Sequence, residues 1–348
     1  MGKLYGINKS NRKGSDLWGK NQFNSAFPAS LACYMRSKNI KAVYLKLNNN
    51  LEVEAQEISI DELFNTTKPN AEITFDFESK YEPYQNYAFD DIKGIDLVLK
   101  DGSNFLRALE IKLTVIPDQT TFKEDESNWG TELVIRPATT SYCALGIIDS
   151  CAKKLKSIRD LFEPLGSKIQ HWDNKVEIHS NQNDIIETLN SFQSDFLKYQ
   201  KPFLLQPIWK TKGKSPILAD NAFDIFVWSD FALCRTFLDR SINTKNQVNR
   251  YMRSSSRMSR IIYELSRSGK TNIENIYAQM TFGLQSDKEF ALSGKITRKY
   301  MPSPRRVKPI LRPNVLKDII LDGGQKMLSP ERRFDQTIYY STEQLFEK

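Results

Sequence analysis

The stretch Gly94–Leu113, GIDLVLKDGSNFLRALEIKL, constrains this chain more than any other. Two apolar runs flank Asp101-Gly102-Ser103-Asn104, the residue types a tight hairpin turn asks for. Each run also carries charge where a plain buried strand carries none: Asp96 in the first, Glu110 and Lys112 in the second. Side chains alternate along a strand, so Glu110 and Lys112 share one face and Leu109, Ile111 and Leu113 the other. Asp96, Val98 and Lys100 likewise share a face. Whether the two charged faces coincide depends on register. A three-residue loop, Gly102-Ser103-Asn104, pairs Asp101 with Phe105 and sets Asp96 opposite Glu110. Asn104 suits such a loop because it tolerates the left-handed conformation near the loop end. A two-residue or four-residue loop is expected to send the carboxylates to opposite faces.

In the first register the two carboxylates lie roughly 5 Å apart between Cβ atoms. Bare carboxylates that close repel, and a divalent cation resolves the conflict. Mg²⁺ takes oxygen ligands, usually one or two carboxylates with waters and phosphate oxygens. Lys112 is then placed to hold or deprotonate an attacking water, or to balance charge in a transition state. The rival reading is a solvated hairpin face. As a string, [Asp/Glu]-x-Lys is common here: Glu78-Ser79-Lys80, Asp91-Ile92-Lys93 and Asp173-Asn174-Lys175 also match, and Asp76 with Asp91 and Lys93 forms a rival set. LEIKL and GIDLVL are preferred because they embed charge in apolar strands, where an unpaired carboxylate is costly.

Other chemistries lose ground. No Gly-x-Gly occurs, which removes the dinucleotide fingerprint. Gly269-Lys270-Thr271 imitates the end of a phosphate-binding loop, but Glu264 stands where the first glycine belongs, so the glycine reads as a helix terminus. Two histidines, His171 and His179, have no Cys/His cluster around them. Four scattered cysteines suit buried thiols in a reducing cytoplasm. No apolar run is long enough to span a membrane, and the N-terminus lacks a signal-peptide core.

The net charge of +8 is unevenly spread. Arg235–Arg312 holds 17 Lys/Arg against 5 Asp/Glu, leaving 33 against 37 elsewhere. Such asymmetry favours a polyanionic partner over a merely solubilising surface. The strongest helix there, over 245–267, has Val248, Tyr251, Met252, Met258, Ile262 and Leu265 on one face. Arg250, Arg253, Arg257 and Arg260 fall on the other, and they are read as contacts to DNA phosphates or a major groove. Arg136 and Lys20 are further candidates. Strands are expected at 41–47, 72–78 and 132–137, a helical turn at 57–64, and one long helix over 139–162. The result is an α/β fold with a mixed central sheet and flanking helices. Charge alone puts a boundary near residue 240, between a core (1–240) and a basic, mainly helical region (241–348).

The Asp…Glu-x-Lys pattern is the signature of the PD-(D/E)xK nucleases. ALEIKLTVIPDQTT, then ELVIRPAT and its following helix, with DLWGKNQFNSAFPASLACYM upstream, resemble the HindVP-type type II restriction endonucleases. That resemblance implies a restriction-endonuclease-like core with Asp96, Glu110 and Lys112 as catalytic triplet. It also implies Mg²⁺ held by Asp96, Glu110 and Ile111, and site-specific cleavage of double-stranded DNA at a GRCGYC-like site. A homodimer and a cognate DNA methyltransferase as genetic partner complete the expectation. The alternatives are a repair or structure-specific nuclease on the same core, and a non-catalytic nucleic-acid-binding regulator.

Overall fold

The structure, a computed structural model, describes residues 7–8, 41–70, 73–112, 114–116, 133–212, 215–216, 224–242, 248, 250–282 and 290–292. Lys20 and the stretches 15–38, 117–130 and 326–339 lie outside them. The chain runs β1 (Ile7–Asn8), β2 (Ala42–Leu47), β3 (Val53–Ile58), α1 (Ile60–Phe64), β4 (Ile73–Ser79) and α2 (Glu82–Gln85). The hairpin β5 (Ile95–Asp101) and β6 (Asn104–Ile111) follows, then β7 (Thr114–Ile116) and β8 (Leu133–Ile135). Next come helices α3 (Pro137–Ser150), α4 (Leu155–Lys168), α5 (Lys175–Ser180) and α6 (Gln182–Phe196). The described chain closes with β9 (Pro202–Lys212), β10 (Ser215–Pro216), β11 (Asp224–Ser229), α7 (Asp230–Ser241), α8 (Arg250–Ser268), α9 (Ile273–Gln279) and β12 (Phe290–Leu292).

The principal sheet is mixed, in the order β1-β4-β5-β6-β9-β11-β2-β3, with β7 and β10 also paired to β9. The expected α/β class holds. Its central strands are apolar on both faces, as strands covered from both sides must be: Leu97, Val98 and Leu99 are all fully buried. β6 and β7 both lie parallel to β9, with Glu110 level with Leu204, Ile111 with Leu205 and Thr114 with Ile208. The break between them falls beside Pro207, which has no N–H to give the ladder.

On one side of the sheet, α7 lies over β2, β9 and β11, and α8 packs across α3, α4 and α7. A single apolar core joins Val43, Val98 and Phe226 of the strands to Leu145, Phe162, Phe231, Met258 and Met280. Among the described residues, then, no packing boundary falls at residue 240.

One local reading holds and one needs correction. The helical turn expected within 57–64 is there as 60–64, opened by a capping box between Ser59 and Glu62, while Glu57 and Ile58 end the charged edge strand β3. The long helix over 139–162 is two helices, broken at Cys151 by a short 3₁₀ turn, Ala152–Lys154. Gly269 does end α8, at φ +74 with its N–H bonded to the Leu265 carbonyl.

Candidate active site

The hairpin closes on two residues, not three: Asp101 pairs with Asn104 and Lys100 with Phe105. Gly102 is at φ +59 while Ser103 is not in the positive region, the pattern of a type II′ turn. A straight hairpin from that turn would put Asp96 and Glu110 on opposite faces. The ladder instead shifts between Lys100 and Leu99, where β6 spends one extra residue, Leu106. From there Leu99 pairs with Arg107, Val98 with Ala108 and Leu97 with Leu109. Continued by one residue, that register sets Asp96 level with Glu110. The expected loop length is therefore wrong and the expected alignment right, because a β-bulge supplies the odd residue.

Asp96 is half-buried, and its Oδ2 accepts from the Ile111 main-chain N–H at 2.9 Å. The bond ties the carboxylate of β5 directly to the strand that carries Glu110. Glu110 is 7% exposed, and its Oε1 accepts from Lys112 Nζ, as expected for residues sharing a face. Thr139 of α3 adds a second bond to the same oxygen, Oγ1 to Oε1 at 3.0 Å. Tyr142, one turn further along α3, donates to the carbonyls of Lys93 at 2.6 Å and Gly94 at 3.4 Å. Burial raises the Tyr142 hydroxyl pKa well above the usual tyrosine value, and the negative charges of Glu110 and Asp96 push it the same way. Sequence reasoning found neither Thr139 nor Tyr142, since both come from a helix far along the chain.

The side chains brought together here, the carboxylates of Asp96 and Glu110 with no thiolate or imidazole, suit a hard divalent cation. Among the described residues no group of three or more His, Cys, Asp or Glu gathers. The remaining positions around such a cation would fall to waters and phosphate oxygens, the habit of Mg²⁺. The rival set disperses. Asp76 pairs with Lys100 at 2.8 Å, while Asp91 pairs with Lys80 on the surface.

The arginine stripe of α8 is the main correction. Arg253 is 1% exposed and Arg257 4%. Arg257 donates from Nε and Nη2 to the Met280 carbonyl at 3.1 and 2.7 Å, and stacks 4.5 Å from the centre of the Tyr277 ring. Burial and the adjacent Arg253 charge pull its pKa down to about 10, against an opposing pull from Tyr277. Arg260 pairs with Glu264 at 2.8 Å and bonds Gln279. Only Arg250, of the four, is exposed; Arg136, which precedes α3, is exposed as well. A cleft of about 390 Å³ beside the first turn of α3 is lined by Lys93, Tyr142, Arg253, Arg257 and Tyr277, with Asp90 at its edge. Cys143, Cys151 and Cys234 are buried free thiols, as expected, and burial raises the pKa of each.

The model of the HindVP restriction endonuclease family matches residues 18–346. Type II restriction enzyme HgiDI of Herpetosiphon aurantiacus is 39% identical over 99% of this chain and 97% of its own length. The probable type II restriction enzyme HindVP of Haemophilus influenzae is 37% identical over 98% of this chain and 94% of its own. No solved structure matches the chain.

Proposed function

This chain belongs to the HindVP restriction endonuclease family, and on that premise we propose that it cleaves double-stranded DNA at a specific site with Mg²⁺, through Asp96, Glu110 and Lys112. The observation that carries the residue assignment is the bulged register, which sets Asp96 level with Glu110 on the face that also carries Lys112.

Asp96 and Glu110, with the Ile111 carbonyl, would hold the cation. Bound there, it supplies Lewis acidity for the scissile phosphate and lowers the pKa of a water. The chain's own contribution is positional. The Ile111 N–H fixes Asp96, so one ligand carboxylate is set before DNA arrives. Lys112 offsets the Glu110 charge in the free protein. With DNA bound, its ammonium would orient the attacking water or meet charge developing on the phosphate. Two-fold target sites fit two copies of the chain, one for each strand, and a DNA methyltransferase would shield the same site in the host. Arg250, Arg136 and Lys20 are the proposed phosphate contacts from the candidate set.

The test is digestion of a plasmid carrying GRCGYC-like sites, with and without Mg²⁺. Discrete Mg²⁺-dependent fragments are expected from wild type. Asp96→Ala should abolish them, and Lys112→Ala should slow cleavage about 10²–10³-fold with folding intact. Undiminished cleavage by either variant removes the residue assignment. A smear or nicking would instead indicate a structure-specific nuclease, and a gel shift without cleavage a regulator.

A further inference from the structure

Glu110 is held in place from outside the hairpin as well as from within it. Its carboxylate takes hydrogen bonds from Lys112 Nζ and from Thr139 Oγ1, and both reach the same oxygen, Oε1. Oε2 receives neither. Thr139 is the third residue of α3 and is 1% exposed, so its hydroxyl sits where an unmade hydrogen bond would be costly. Three residues on, on the same helix face, Tyr142 pins the Lys93 and Gly94 carbonyls that lead into Asp96. One turn of α3 therefore braces both strands of the candidate site.

Resting on the metal-site reading above, we propose that Thr139 is a positioning residue, whose hydroxyl fixes the Glu110 carboxylate by Oε1 and leaves Oε2 as the ligand oxygen. The bond between Lys112 and Glu110 cannot do this alone, because a lysine needed at the water or phosphate must be able to leave Oε1. Thr139 needs no such freedom. It keeps the carboxylate oriented while Lys112 turns to its second task. Removing a hydrogen-bond partner of this kind from a metal ligand typically costs about 10–100-fold in metal affinity or activity.

The experiment separates the hydroxyl from the side chain's bulk. Thr139→Val keeps the shape and loses the hydroxyl; Thr139→Ser keeps the hydroxyl and loses a methyl. Mn²⁺ is titrated into the full chain without DNA, and the free ion is followed by electron paramagnetic resonance, with melting curves confirming the fold. Binding by Thr139→Val is expected to weaken about 10–100-fold, and by Thr139→Ser to stay close to wild type. If the valine variant fails to fold, Thr139→Ala removes the same hydroxyl. Wild-type affinity in a folded, hydroxyl-free variant overturns the proposal. Equal weakening in the serine and valine variants overturns it too, since packing would then carry the effect. If wild type binds Mn²⁺ no better than Asp96→Ala does, the metal-site reading itself fails, and Thr139 has nothing to position.

Discussion

Asp230 shows what one carboxylate does when the protein buries it away from the candidate site. It follows Ser229, the N-cap of α7, and accepts from the N–H groups of Lys201 at 3.1 Å and Phe231 at 2.8 Å and from Ser150 Oγ at 3.3 Å. Burial outweighs these donors and raises its pKa from 3.8 to about 7. Between those values the folded chain holds a proton that the unfolded chain releases, so this group's contribution to stability falls as pH rises through the interval. Asp230→Asn carries no such proton, and its melting temperature should gain on wild type between about pH 4 and about pH 7 and hold level above that. A difference that stays constant with pH would contradict the assignment. Asp96, Glu110 and Lys112 are legible in the amino-acid sequence because each is a charge inside an apolar, alternating run. Thr139 is not: it reaches Glu110 from 29 residues away, and nothing in PATTSY marks one threonine as a partner for a carboxylate.

At the level of elements, α8 separates helical periodicity from orientation. Spacing puts Arg250, Arg253, Arg257 and Arg260 on one stripe, but the stripe does not say which way the helix turns it. Packing against α3, α4 and α7 leaves too little free surface, so Arg253 and Arg257 go inward with the serines between them. Arg257 then serves as a staple between α8 and the chain leaving α9. Arg257→Ala should destabilise the fold by about 2–4 kcal/mol in urea denaturation, the sum of its charged hydrogen bonds and its stacking on Tyr277. If that reading holds, the variant leaves the salt dependence of DNA binding unchanged. Arg250→Ala should do the reverse, lowering the slope of log affinity against log salt by about 1 with little change in stability. The break at Cys151 is hidden for a related reason: Leu145, Ile148, Leu155 and Ile158 keep helical spacing across a short 3₁₀ turn.

Across the whole molecule, the mixed sheet and flanking helices are readable from alternating runs and one strong hairpin, whereas the order of strands is not. β2 and β11 pair in parallel although about 180 residues separate them, a contact no local pattern encodes. Charge describes surfaces rather than packing, and among the described residues one core runs from Val43 to Met280, on both sides of the charge boundary near residue 240. The bulge at Leu106 has a consequence for the family. Asp96 and Glu110 face each other only when the residues left unpaired between them, in the turn and in any bulge together, are odd in number. Here that number is met by a two-residue turn and one bulge. A relative whose turn is longer by one must lose the bulge, and one whose carboxylate spacing changes by one must gain or lose an unpaired residue. At a fixed carboxylate spacing, turn length and ladder irregularity are thus not free to change separately, because parity couples them.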